Sequence, residues 1–306
     1  MPMQPEKVSF KGSQGATLAA RFDRPAGELV ATAIFAHCFT CSKDIFAARV
    51  IASELVRHGI AVLRFDFTGL GASEGEFANT DFSSNCGDLI RAADWLRDNA
   101  VAPKILIGHS LGGAAVLAVA GEIPEVAAVA TIGAPADAEH VIRNFDADIE
   151  RIEEQGEAEV SLAGRQFRIG RQFLDDVRSQ NLAERIGTMR KALLVLHSPV
   201  DDVVGIENAS EIFLAAKHPK SFVSLDDADH LLSRREDAAY AASIIATWAG
   251  RFIGEARAAD GAAHGEGVVV AETGHGKFQA TVSAGRHDLL ADEPERVGGL
   301  DTGPSP

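Results

Sequence analysis

Along the first 250 residues, short apolar runs alternate with stretches whose apolar positions recur every three or four residues. That is the pattern of parallel strands wrapped by helices. The runs Val8 to Phe10, Thr17 to Asp23, Val30 to Ala36, Ile60 to Phe65, Lys104 to Ile107, Val126 to Ile132, Ala192 to Leu196 and Ser221 to Leu225 predict eight strands. Helical spacing covers Asp44 to His58, Asp81 to Ala100, Ser110 to Ala120, Glu207 to Lys217 and Ser233 to Ile253, with Asp or Ser near several starts. The expected architecture is an α/β one, a mostly parallel eight-stranded sheet with helices on both faces. No helix separates the first two strands, so these should form an antiparallel hairpin at its edge.

Two intervals break the alternation. From about residue 136 to 187 the chain turns highly charged, with a helical piece through Glu139 to Glu154 and an alternating stretch from Glu159 to Ile169. An insertion between strands of this kind predicts a small surface cap. Its Phe145, Phe167 and Phe173 are expected to pin it to the body, because a small cap must bury something to stay folded. After Gly254, residues 255–267 are poor in large apolar side chains and read as a linker between a body of residues 1–254 and a tail of residues 268–306. Val268 to Ala271 and Lys277 to Ser283 are strand-like, but so short a tail cannot build a core of its own.

Composition narrows the function classes. Against 29 Lys and Arg stand 44 Asp and Glu, a formal net charge of −15, with 46% hydrophobic residues. Excess acid argues against nucleic acid and anionic membrane surfaces, since both need a positive face to displace counterions. No apolar run reaches the length of a membrane span, and the first residues hold no signal-type apolar core. The three cysteines, Cys38, Cys41 and Cys86, are an odd number suited to a reducing cytoplasm, so no disulfide framework is expected.

The strongest chemical signal is Gly108-His109-Ser110-Leu111-Gly112-Gly113, directly after an apolar strand and directly before a helix. This is the G-x-S-x-G nucleophile elbow in its required setting, where glycines allow a sharp, strained turn that exposes the serine. A serine hydroxyl is a poor nucleophile until a base takes its proton, and the base needs an acid behind it. The acid and then the histidine should follow in loops beyond late strands. The segment His197-Ser198-Pro199-Val200-Asp201-Asp202 offers Asp201 or Asp202 as the acid, and Asp226-Asp227-Ala228-Asp229-His230 offers His230 as the base. His58 and His218 end helical segments, where the helix dipole is reason enough for them. His109 should point away from Ser110.

A tetrahedral oxyanion requires two backbone N–H donors. Leu111, just after the serine, supplies one, and the loop Ala36-His37-Cys38-Phe39-Thr40-Cys41 the other, with Phe39 the best placed and Cys38 and Thr40 its alternatives. The Cys38 and Cys41 pair could signal redox or zinc chemistry, but no second pair exists for zinc and the loop is already claimed by the serine site. A packing role is expected for it. The cluster Gly69-Leu70-Gly71-Ala72-Ser73-Glu74-Gly75 is one residue too long for a dinucleotide fingerprint.

On Phe65 to Gly75, the elbow at Ser110, the H-S-P-x-D segment and the D-x-D-H segment, residues 1–254 resemble an α/β-hydrolase of the serine esterase and lysophospholipase-like branch. The resemblance implies the α/β-hydrolase fold, makes Asp201 the acid, and implies a carboxylic ester as the small-molecule substrate, with short to medium acyl groups. It calls for no metal or organic cofactor. A peptidase or thioesterase on the same residues stays open. His37 to Asp44, with Ala291-Asp292-Glu293-Pro294 and Gly298 to Pro306, resembles bacterial proteins that fuse an α/β-hydrolase to an OsmC-like domain, whose thiols reduce organic hydroperoxides. No cysteine follows Cys86, so peroxidase activity is not expected of this chain, and the tail reads as the truncated opening of that domain. The other reading left open is a non-catalytic partner module for the missing peroxidase. A homodimer through the tail's exposed strand edges is a further open arrangement.

Overall fold

The computed structural model describes residues 4–38, 41–162, 165–253, 268–273, 277–284 and 287–303. Its main sheet begins with β1 (Glu6–Lys11), β2 (Thr17–Asp23), β3 (Ala31–Ala36), β4 (Ile60–Phe65), β5 (Ile105–His109) and β6 (Ala128–Ile132). A separate pair, β7 (Glu157–Leu162) and β8 (Arg165–Gly170), belongs to the insertion, after which β9 (Ala192–His197) and β10 (Lys220–Ser224) complete the sheet. The order across it is β1-β2-β4-β3-β5-β6-β9-β10, eight strands as the apolar runs predict. β1 pairs antiparallel with β2 and β2 with β4, while every other neighbour is parallel.

Helices cover both faces because each presents an apolar stripe to the sheet. α1 (Phe46–Arg57) and α8 (Arg235–Ala249) bury theirs on one side, with Ile51, Leu55 and Ile245 against Val62, Ile107 and Leu194. On the other side α2 (Phe82–Asn99), α3 (Leu111–Val119) and α7 (Glu207–Ala215) pack Leu89, Val116 and Ile212 against Ile34, Leu106 and Val129. α2 starts where sequence places it: Asp81 accepts from Ser84 N at 2.6 Å and Ser84 Oγ bonds Asp81 N at 2.9 Å, a capping box. β5 runs beyond its predicted end at Ile107, because Gly108 and His109 stay in register with Thr131 and Ile132 of β6. The strand therefore leads straight into the elbow.

The insertion holds a 3₁₀ segment (Glu139–Asp148), α4 (Ile149–Gln155), the β7–β8 hairpin, α5 (Arg171–Ser179) and α6 (Leu182–Thr188). Phe167 and Phe173 are buried in the body's apolar cluster. Arg151 pairs with Asp148, Arg168 with Glu157 and Glu159, and Arg171 with Asp175. The side chains of Arg143, Phe145 and Arg165 lie outside the described residues, as does the segment expected to be a linker. In the tail, β11 (Val268–Glu272), β12 (Ala280–Ala284) and β13 (His287–Ala291) form an antiparallel sheet of their own. Just beyond β13, buried Asp292 organises the turn through Thr302, accepting from Leu300 N at 2.9 Å and Thr302 Oγ1 at 2.9 Å. Among the described residues no helix is long and apolar enough to cross a membrane.

One expectation is corrected. Cys38 and Cys41 form a disulfide. The odd cysteine count gave no hint of it, but the turn after β3, in which Cys41 N donates to Cys38 O at 3.1 Å, sets the two Cα atoms 5.2 Å apart. That separation lies within the range a disulfide spans. Cys86 remains free, and burial pushes its thiol up to about 12.

One fully buried carboxylate on α2 ties the β1–β2 turn and the loop after β4 to the same helix. Asp88 Oδ1 accepts from Ser13 N at 2.8 Å and Ser13 Oγ at 2.9 Å, and Oδ2 from Thr68 N at 3.0 Å and Thr68 Oγ1 at 2.8 Å. Asp88→Ala is expected to cost about 2–4 kcal/mol, because it strands the two buried donors of Thr68 and frees the turn at Ser13. The urea midpoint checks this, and an unchanged midpoint would refute the tie.

Candidate active site

Because β5, β6, β9 and β10 are adjacent and parallel, their carboxyl ends lie along one edge, where loops from distant parts of the sequence meet. Ser110 sits in the turn between β5 and α3 at φ 55°, ψ −128°, a left-handed conformation rare for a residue with a side chain. Its N–H donates to Ile132 O at 2.9 Å and its carbonyl accepts from Gly113 N at 2.7 Å. The glycines are demanded by contact. A Cβ on Gly108 would stand 2.3 Å from Gly112 O, one on Gly112 2.4 Å from Ala36 O, and one on Gly113 2.4 Å from the Ala134 Cβ.

His230, in the loop after β10, places Nε2 3.0 Å from Ser110 Oγ and Nδ1 2.8 Å from Asp201 Oδ2. Nδ1–H therefore donates to the carboxylate, leaving Nε2 to accept from the serine hydroxyl. Asp201 Oδ1 takes the N–H groups of Val203 and Val204, each at 2.9 Å. Burial opposes its ionisation, but the bonds from His230, Val204 and Val203 outweigh that and hold the carboxyl below its ordinary range. Its neighbour Asp202 is exposed. Of the two aspartates that the segment offers, Asp201 reaches the histidine.

Leu111 opens α3, so its N–H lies in a first turn whose donors lack intrahelical acceptors. Phe39, the expected second donor, and its alternative Thr40 lie outside the described residues. The other alternative, Cys38, is buried at the end of the loop's first limb. Among the described residues no three His, Cys, Asp or Glu side chains are grouped as metal ligands.

Several supporting residues carry no motif that would single them out in the sequence. Gly133, just after β6, has φ 52°, and a Cβ there would lie 3.0 Å from Asp201 Oδ2 and 3.3 Å from His230 Nδ1. The only sequence signal is a glycine ending an apolar strand. Three buried histidines donate to the backbone of the loops: His109 Nε2 to His230 O at 2.7 Å, His197 Nε2 to Val204 O at 2.7 Å, and His140 Nε2 from the insertion to Val203 O at 3.2 Å. Ser198 Oγ adds a bond to Asp226 O at 3.0 Å, joining the acid's loop to the base's. His109, expected to point away from Ser110, bonds the main-chain carbonyl of His230.

An α/β sheet that carries a serine on a strand-turn-helix elbow, hydrogen-bonded to a histidine backed by a buried aspartate, is the framework of a hydrolase of the α/β class. The alpha/beta hydrolase family model matches residues 33–297, and the chain belongs to that family. The esterase domain of a Rhodothermus marinus protein is 52% identical with a TM-score of 0.69, over 82% of this chain and 100% of that one. Est1E from Butyrivibrio proteoclasticus, solved with ferulic acid, shares the fold at 19% identity and TM-score 0.65, over 79% of this chain and 98% of that one. In sequence the chain is also 28% identical over 189 residues to the mouse mitochondrial palmitoyl-protein thioesterase ABHD10, 58% of this chain and 62% of that protein.

The geometry makes two expectations testable. Gly133→Ala, strained by its positive φ and crowding the Asp201–His230 bond, should lower stability by about 1 kcal/mol or more and weaken that hydrogen bond. The downfield proton resonance of His230 Nδ1–H reports it, and an unshifted resonance would refute the crowding. The second concerns acid. Burial, then the nearby His230, lowers His109 to about 4, and among the described residues Nδ1 of that ring has no acceptor for the N–H that a second proton would create. The unfolded chain, whose histidines titrate near about 6.5, binds that proton more readily. The destabilisation is absent above the unfolded value, and stability declines as pH falls from about 6.5 toward about 4. In His109→Gln, urea midpoints measured across that window should decline less steeply; an equal slope would show that His109 takes no part.

Proposed function

We propose that the chain is a serine hydrolase that cleaves carboxylic esters of short to medium acyl chain through an acyl-enzyme. The observation that carries this reading is the continuous hydrogen-bonded line from Asp201 Oδ2 through His230 to Ser110 Oγ. In the first half-reaction Ser110 Oγ attacks the ester carbonyl carbon while His230 Nε2 takes the hydroxyl proton. The imidazolium is stabilised by Asp201, and the tetrahedral oxyanion by the N–H groups of Leu111 and Phe39. Collapse expels the alcohol, which receives the proton from His230. Water, deprotonated by the same nitrogen, then attacks the acyl-serine, and a second collapse restores Ser110 and releases the acid. The 52% identity to the Rhodothermus marinus esterase domain supports an ester over an amide.

A thioester is the second reading, supported by the similarity to ABHD10, a palmitoyl-protein thioesterase. The same residues serve both, since the acyl-serine is common and only the leaving atom differs. For residues 268–306 we retain the OsmC-like resemblance as a proposal, supported by the separate antiparallel sheet and the Asp292-centred turn beyond it.

The test is hydrolysis of p-nitrophenyl esters from acetate to palmitate, beside matched acyl thioesters. Ser110→Ala is expected to lose at least about 10⁴-fold in kcat. Asp201→Asn should lose about 10⁴-fold, whereas Asp202→Asn should stay within about twofold. An inactive parent, or a fully active Ser110→Ala, contradicts the reading; faster turnover of long-chain thioesters would move the assignment to the second one.

A further inference from the structure

The insertion contributes no residue to the line of Asp201, His230 and Ser110, yet one of its buried side chains reaches the loop that carries Asp201. That loop joins β9 to α7, and side-chain packing holds it only in part: Val200 is 61% exposed, Val203 45%, and Asp202 is exposed as well. Its shape therefore depends on main-chain bonds. Asp201 Oδ1 accepts from Val203 N and Val204 N, each at 2.9 Å, while Oδ2 accepts from His230 Nδ1 at 2.8 Å. Of the two main-chain donors, Val204 N–H does more to keep the carboxylate ionised.

The other end of that same peptide group is Val203 O, and it is bonded from the insertion. His140 is buried, with Nε2 3.2 Å from Val203 O. A carbonyl only accepts, so Nε2 carries the proton and donates. Among the described residues Nδ1 of His140 has no partner, and a buried ring with an unpaired nitrogen is a costly way to fill space that a leucine could occupy. The bond to Val203 O supplies the reason for a histidine. The ring is held in place from its own side: His140 N donates to Asp137 Oδ1 at 2.6 Å, and Ala136 N to Asn208 Oδ1 at 3.0 Å. Asn208, buried at the start of α7, returns a bond from Nδ2 to Gly205 O at 3.0 Å. The start of the insertion is thus fixed to the loop of Asp201 at two points, Val203 and Gly205.

We infer that His140 is a positioning residue for Asp201, acting through the single peptide group between Val203 and Val204, whose carbonyl it bonds and whose N–H holds the carboxylate. This rests on the reading of Asp201, His230 and Ser110 as the reacting set. His140 touches none of the reacting atoms. Because a peptide group is planar, a donor on its oxygen fixes the direction of its N–H, and it polarises that N–H toward the acceptor beyond. Without His140 the peptide is free to turn, Val204 N–H leaves Oδ1, and the carboxylate loses part of what aims its other oxygen at His230. A small misplacement of this kind costs rate more than substrate binding.

The experiment compares the parent chain with His140→Leu, which keeps most of the volume and drops the donor, and with His140→Gln, whose amide N–H can replace Nε2–H. With folding verified by circular dichroism, kcat of His140→Leu on p-nitrophenyl acetate should fall about 10-fold while KM changes less than about twofold. The downfield proton resonance of His230 Nδ1–H should shift in His140→Leu. His140→Gln should restore the resonance and bring kcat to within about threefold of the parent. A His140→Leu chain of lower melting temperature whose kcat and resonance match the parent's overturns the inference and leaves a structural role. Equal losses in the Leu and Gln variants overturn it too, since they trace the effect to the ring and not to its donor. If His140→Leu does not fold, His140→Phe keeps a ring without the donor, and the same outcomes decide. Failure of the underlying reading looks different: the parent itself would be inactive or indifferent to Ser110→Ala, and the inference would fall with it.

Discussion

The approach of three backbones at the elbow governs the rest of the molecule. β5 reaches its end at His109, the chain reverses at Ser110 in a left-handed conformation, and the first turn of α3 returns against the ends of β3 and β5 at distances no side chain could occupy. Such a conformation at a serine persists only where the surroundings over-determine it. Here the surroundings are two parallel neighbours in register and three glycines. The serine is thereby held at the carboxyl edge of the sheet, and the first turn of α3 begins at the next residue. Moving α3 outward by the width of a methyl group would release both features together.

Around that point the polar groups sort into two kinds. One set, Ser110, His230 and Asp201, forms a single hydrogen-bonded line. The other consists of buried histidines and paired ions that bond to main-chain groups of the neighbouring loops: His109 on the loop of His230, His197 and His140 on the loop of Asp201, Asp66 and Arg64 on the Lys43 end of the loop after β3. Loops exposed at a sheet edge are the least constrained parts of an α/β fold. Buried polar groups on the sheet and its flanks tie these loops to the body through main-chain bonds. Burial lowers both His37 and His109, which keeps these rings neutral and lets each act as a hydrogen-bonding strut.

Much of this was legible in the residues. Period-two and fully apolar runs located all eight strands, since strands buried on both faces have little choice of residue, and only their ends shifted by a residue or two. The elbow was readable because its chemistry dictates both a local spacing and a local secondary structure. Asp201 and His230 lie 91 and 120 residues beyond Ser110 and were accessible only through the expected order of elements, which left Asp201 and Asp202 undivided until the family resemblance was brought in. The features that stayed hidden depend on pairing between strands distant in sequence. Gly133 is an ordinary strand end until β6 lies beside β9. The disulfide has no signal in the cysteine count, which speaks to redox compartment and not to the distance between Cys38 and Cys41.

The most direct test of the central claim is to trap the acyl-enzyme. Rapid mixing of the purified chain with p-nitrophenyl acetate, acid quench and peptide mass spectrometry would locate any acetyl group. The expected result is a single acetyl on Ser110, formed within the burst of p-nitrophenol release and absent from Ser110→Ala. Burst and acetylation at another residue, or turnover with no covalent intermediate on Ser110 at any time point, would contradict the assignment of Ser110 as the nucleophile.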